Sequence, residues 1–293
     1  MNAILWPALV IGAAALQVLR NAAQRDLTGR LGIWGAAYIR FFYGLPFAYL
    51  WTAAIVSWRG MSGDASFEFF AWTALGAVTQ VSATAMLVLA MTGRAFAVAT
   101  ALSKTEVMGA ALLGALFIQD TLSLADWAGA AIGTAGVVAM AHVSANRSAL
   151  RAALAGAGSG LLYAVSAISY RAAAHAWGED GWIGAAMTLS VTLTIQTLGG
   201  GLVLLIIARH EFVALLRAWR LSIIPGAAGA TASALLFTAF ALGPSAAAVK
   251  TVQLIDVIFA WLVSRRLYRE GIALNEIVGA ALILIGALAV LLL

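Results

Sequence analysis

Lys104 and Glu106 sit two positions apart in the apolar stretch ALSKTEVMGAALLG, and Lys250 and Asp256 flank TVQLI in a second such stretch. Held away from water, an ammonium group can receive a solute's carboxylate, and a carboxylate can receive an ammonium group or a proton. Such groups are costly. A charged residue at the centre of a membrane helix costs about 2.5 to 3.5 kcal/mol, a large part of a net stability of roughly 5 to 15 kcal/mol. Residues two apart lie roughly 200° around a helix, so Lys104 and Glu106 face different ways and do not pair with each other. Partners must come from another helix. Two readings stand side by side: the four charges form a ligand site, or they are buried ion pairs that set helix register.

The medium around them follows from composition. Of 293 residues, 63% are hydrophobic and 10% charged, and the mean hydropathy is +0.98. One water-soluble core cannot hide that much apolar surface. A bilayer core about 30 Å thick needs roughly 20 apolar residues per helix. Runs of that length predict ten helices, over residues 3–22, 32–57, 66–92, 95–117, 124–143, 152–173, 182–208, 220–242, 245–264 and 272–293. Runs such as GAALILIGALAVLLL are apolar all round, unlike the alternating strands of a membrane barrel, so an all-α membrane protein is expected. The short connections leave no soluble domain, the first segment reads as a retained helix, and the lack of cysteine excludes a disulfide framework. A helix that begins near Ala95 places Lys104 and Glu106 about 14 to 17 Å deep.

The net charge of +5 follows topology rather than a nucleic-acid partner. Arg20, Arg25, Arg30, Arg94, Arg147, Arg151, Arg209, Arg217, Arg220, Arg265, Arg266 and Arg269 fall on loops that an alternating ten-helix chain puts on one side, with Arg59 and Arg171 on the other. The positive-inside rule makes the former side cytoplasmic and puts both termini outside. A plasma membrane, the inner one in a bacterium, is the expected location.

The two charged stretches are related. A shift of 150 positions brings Glu106 onto Asp256, Asp120 onto Glu270, Asp126 onto Glu276, Gly129 onto Gly279 and Gly136 onto Gly286, without a gap. Acidic coincidences carry weight in a chain with only 12 acidic residues. Residues 1–145 and 149–293 read as two copies of a five-helix unit. An odd number of crossings inverts the second copy, which is a transporter design with the site between halves around a central cavity.

Each copy contains a junction of one type, FIQDTLSLADWAG and LYREGIALNEIVG. These segments resemble the doubled signature of the drug/metabolite transporter superfamily, EamA type, and ten helices with Arg40 early in the second also fit it. The resemblance spans the whole chain. It implies two inverted five-helix repeats and export of small metabolites, with aromatic amino acid exporters the nearest comparison. The family often has proline where helices 4 and 9 enter their second halves. This chain has Glu106 and Asp256 there, so no kink is expected.

Crosswise pairing between helices 4 and 9 is the expected arrangement, with Lys104 and Lys250 toward a wet cavity and Glu106 and Asp256 balancing them. Thr100 shares a side of helix 4 with Lys104, and Gln253 shares a side of helix 9 with Lys250. Tyr38, Arg40, Gln80 and Tyr163 extend the candidate substrate lining, although a lone tyrosine or glutamine at depth also serves as interhelical glue. No catalytic residue, metal or cofactor is expected. The three histidines make no His-Glu-x-x-His helix, no serine sits in a nucleophile elbow, and no phosphate-binding loop occurs. A monomeric exporter of amino acids is the first reading, with a small-molecule substrate and the bilayer as partners. Export of cationic or amphipathic drugs is the alternative, and an intramembrane enzyme or a structural protein stands in another class.

Overall fold

A computed structural model describes residues 2–90, 96–140, 147–268 and 274–292. Among them every regular element is an α-helix. Eight helical stretches are long and apolar enough to cross a membrane: Leu5–Gln24, Leu27–Arg59, Phe67–Leu87, Arg151–Trp177, Gly181–Ile207, Trp219–Leu242, Ala246–Val263 and Leu274–Leu292. The chain is a multi-pass α-helical membrane protein. Gly93, Arg94, His142, Arg269 and Glu270 lie outside the described residues, as does the middle of the LYREGIALNEIVG junction, residues 269–273.

Contacts divide the chain into two compact units, Met1–Pro7 with Ser82–Ile168 and Gly243–Leu293, and Ala8–Val81 with Ser169–Leu242. Each unit takes residues from both halves of the sequence.

In the first unit, α6 (Leu124–Met140) packs on α13 (Leu274–Leu292), and α5 (Glu106–Phe117) packs on α11 (Ala246–Gln253). The α6/α13 contact is made by glycines. A Cβ on Gly136 would lie 2.6 Å from the Gly279 carbonyl oxygen, and one on Gly129 would lie 2.7 Å from that of Gly286. Missing side chains let the two backbones touch, as in close crossings of membrane helices. Around this seam Val107, Ala130, Leu254 and Ile283 form a buried cluster.

The acidic residues of FIQDTLSLADWAG are structural here. Asp126 Oδ2 accepts from Ser123 N at 2.8 Å while Ser123 Oγ accepts from Asp126 N at 3.1 Å, a reciprocal cap at the start of α6. Asp120 Oδ2 accepts from Ala246 N at 2.9 Å, so it satisfies an orphan amide in the first turn of α11.

In the second unit, α2 (Leu45–Arg59), α8 (Gly181–Ile207) and α10 (Trp219–Leu242) pack on one another. Gly32, inside α1 (Asn2–Phe42), has φ 75° and ψ 174°, a conformation that L side chains rarely adopt, and it breaks that long helix into two. A short helix, α9 (Arg209–Arg217), fills the connection between α8 and α10 where the sequence predicted only a loop. α8 runs unbroken through Gly199, Gly200 and Gly201, and the last two admit the Tyr38 ring.

The described arginines assigned to loops from the sequence lie within helices, and two of them are buried. Arg20 lies buried within α1, bonded to Asn21 Oδ1 at 2.7 Å, and Arg171 lies buried within α7 (Arg147–Trp177), donating to the Phe240 carbonyl. Loop assignment failed at Arg171 because the residue falls inside the apolar run 152–173 itself.

Candidate functional site

Helices 4 and 9 of the sequence do not run straight. The stretch 95–117 is split into α4 (Phe96–Ser103) and α5 at Lys104 and Thr105, and 245–264 is split into α11 and α12 (Ile255–Tyr268) at Leu254. This corrects the expectation of unkinked helices. Tight i→i+3 turns replace the proline: Lys104 N donates to Ala101 O at 3.1 Å, Thr105 N to Leu102 O at 3.2 Å, and Leu254 N to Thr251 O at 3.2 Å. Hydroxyl groups occupy the carbonyls of the broken turns. Ser103 Oγ donates to Thr100 O and Thr105 Oγ1 to Leu102 O, each at 2.7 Å, while Thr251 Oγ1 donates to Ala247 O at 2.8 Å.

The charges sit at these breaks in matching order. Lys104 follows the last residue of α4 and Lys250 lies in the last turn of α11, where carbonyl ends favour cations. Glu106 is the first residue of α5 and Asp256 the second of α12, where amide ends favour anions. Each lysine then reaches the acid of the other break. Lys104 Nζ lies 2.7 Å from Asp256 Oδ2, and Lys250 Nζ lies 3.3 Å from Glu106 Oε2. A helix-end dipole contributes about 0.3 to 2 kcal/mol, less than the several kcal/mol needed to desolvate an ion, so the crosswise pairs supply most of the offset.

Both pairs are enclosed. Side-chain exposure is 16% for Lys104 and 11% for Asp256, against 9% for both Lys250 and Glu106. Each ammonium group therefore meets a carboxylate rather than open water. The arrangement leaves polar capacity unused: Asp256 Oδ1 and Thr100 Oγ1 are buried with no hydrogen-bond partner among the described residues. Gln253 is buried on α11 beside the same break. Gly160 of α7 closes over the other break, because a Cβ there would lie 2.7 Å from Ser103 O and 2.8 Å from Thr105 Oγ1. Tyr163, three residues farther along α7, shares a hydrogen bond with Thr84 Oγ1 at 2.9 Å.

Seven of the sequence-predicted lining residues, Thr100, Lys104, Glu106, Tyr163, Lys250, Gln253 and Asp256, thus belong to the first compact unit. Tyr38, Arg40 and Gln80 belong to the second. Tyr38 donates to the Thr197 carbonyl, and the Arg40 guanidinium lies over the Phe41 ring at 4.5 Å. Gln80 Oε1 accepts from Gln196 Nε2 at 2.7 Å and from Tyr170 Oη at 3.1 Å. Tyr170, stacked on Phe237 with ring centres 4.2 Å apart, is a buried polar group that the sequence did not single out. Its place in the apolar run SAISYRAAA was the available signal.

No family model and no curated protein matches the sequence. The chain is similar to a protein of known crystal structure, with a TM-score of 0.67 and 16% identity over 97% of this chain and 98% of that one. At that identity the likeness is one of fold alone.

Proposed function

We propose that the chain is a ten-helix transporter of the drug/metabolite transporter superfamily, EamA type, which exports small metabolites by alternating access, foremost neutral or aromatic amino acids. The observation that carries this reading is the crosswise set Lys104–Asp256 and Lys250–Glu106 at two breaks inside apolar helices. Broken helices whose ends face ionisable groups are a recurrent way to place a binding site at membrane depth. A purely structural role explains the pairs but not the interruption of both helices.

Ten crossings result if the broken α4/α5 and the 17-residue α6 join the eight long spans. Two features support an inverted repeat. Lys104 and Leu254, which mark the two helix breaks, are 150 positions apart. The glycine contacts also exchange partners: Gly129 meets Gly286 while Gly136 meets Gly279, as an approximate twofold axis relating residues 150 apart requires. Both termini then lie outside a plasma membrane. A reporter fused after Leu293 should be active on the external side only, and cytoplasmic activity would reverse the orientation.

Ion exchange at the pairs gives a binding mechanism. An amino acid's carboxylate would take a lysine from its acid, and its ammonium group would take the carboxylate so released, leaving the total charge balanced. One observation favours the second reading, export of cationic or amphipathic drugs: the unpartnered Asp256 Oδ1 suits a cation alone. Counterflow in liposomes loaded with labelled amino acids or lipophilic cations, with and without a pH gradient, separates them. Exchange of neutral amino acids is expected, and exchange of cations alone would replace the first reading with the second.

A further inference from the structure

The connection between α8 and α10 carries a feature that the transport reading leaves unused. Because α9 joins two helices long enough to cross a membrane, it lies at the membrane boundary. Its sequence RHEFVALLR is strongly two-faced. One face is bound to the protein: Leu215 is fully buried, and Phe212 meets the Phe42 ring edge-on with centres 6.2 Å apart. Glu211 is on this face too. Its Oε2 accepts from Gly35 N at 2.6 Å, at the start of the helical segment that follows the Gly32 break. A Cβ on Gly32 would lie 2.2 Å from that carboxyl group, so the glycine keeps the space Glu211 occupies.

The acid of α9 is thereby turned away from its basic residues. On the other face, Arg209, His210 and Arg217 border a cleft of about 880 Å³ that Arg30 of α1 also lines. None of the three arginines is in an ion pair among the described residues. The rest of the lining is apolar, including Leu31, Val213 and Leu221. Beyond the cleft, Leu216, Trp219 and Ile224 are exposed.

We propose that this cleft binds the phosphate of an anionic phospholipid, with Arg30, Arg209 and Arg217 on the phosphate oxygens and the acyl chains against Val213 and Leu221. Guanidinium groups lining one cleft suit phosphate oxygens because their planar forks donate in pairs. The same chemistry would take free phosphate. Apolar lining beside the cations, at a helix fixed to the membrane boundary, favours the lipid as the source. The inference is independent of the transported substrate.

Native mass spectrometry of the purified full chain, given phosphatidylglycerol or phosphatidylcholine with identical acyl chains, tests it. At least tenfold preferential retention of phosphatidylglycerol is expected. R30Q/R209Q/R217Q should lower that retention at least tenfold, whereas R59Q/R151Q/R266Q, with the same net charge, should leave it within twofold of wild type. Equal retention of the two lipids by the wild-type chain would overturn the proposal without any variant. Unchanged retention by R30Q/R209Q/R217Q would also overturn it, as would displacement of the lipid by millimolar inorganic phosphate or glycerol phosphate, which would mark a soluble-anion site.

Discussion

Lys250→Met is expected to lower stability by about 3 to 5 kcal/mol, the usual cost of leaving one buried charge without its partner. The stranded group is Glu106, whose side chain is only 9% exposed. Its position at the first residue of α5 retains a dipole contribution of at most about 2 kcal/mol, too little to replace the lysine. In a thermal melt of the purified protein this corresponds to a fall of roughly 10 °C. Adding Glu106→Gln removes the stranded charge and should restore the melting temperature to within a few degrees of wild type. Recovery of stability is not recovery of transport: K250M/E106Q should remain inactive in counterflow. Lys104→Met should cost less than Lys250→Met. The Lys104–Asp256 separation is shorter, 2.7 against 3.3 Å, which strengthens attraction only by about a fifth. Its greater contact with solvent raises the effective dielectric and eases the stranded charge.

The second large effect lies in the α6/α13 seam. Gly136→Val should destabilise the protein by about 3 kcal/mol, at the upper end of the range for overpacking a close-fitted core. The obstacle is backbone. A Cβ at residue 136 would lie 2.6 Å from Gly279 O and 2.9 Å from Ile283 N, neither of which can rotate aside. The helices must separate, which weakens the cluster around Val107, Val137, Leu254 and Ile283 and loosens the α11/α12 break that belongs to it. Gly199→Ala is the matched control. Its Cβ would meet nothing within 4 Å in the middle of α8, so helix propensity should stabilise it by about 0.5 to 1 kcal/mol. A Gly136→Val protein that melts with wild type would show that the glycines do not set this contact.

The membrane class and the helical architecture were legible because twenty-residue apolar runs have few alternative structures. The crosswise pairing was legible for a different reason. Glu106 and Asp256 occupy the same position of a 150-residue offset, and two acids with two lysines at depth have few ways to neutralise one another. Helix breaks were not legible. Ser103, Thr105 and Thr251 bond carbonyls one turn back there, but Thr188 and Thr238 do the same inside unbroken α8 and α10. Nor was α9, because charged residues at both ends of RHEFVALLR have the composition of a loop. Its two-faced pattern spans only nine residues, and the packing of Phe212 and Leu215 gives the apolar face its partner. Asp120 and Asp126 were visible as a recurring pattern, yet the cap that Asp120 makes depends on the Ala246 amide that the folded chain brings to it, whereas Asp126 pairs locally with Ser123.

Counterflow by the charge-exchanged variant K104D/D256K beside wild type in the same liposomes tests whether the pair takes part in binding. The exchange preserves an ion pair between residues 104 and 256 but reverses its direction relative to the helix ends, and so changes what a zwitterion would meet. Wild type should accumulate labelled neutral amino acid, and K104D/D256K, selected for a melting temperature within a few degrees of wild type, should lose at least nine-tenths of that accumulation. Normal exchange by the variant would make the pair a fastening between helices and contradict its role in binding.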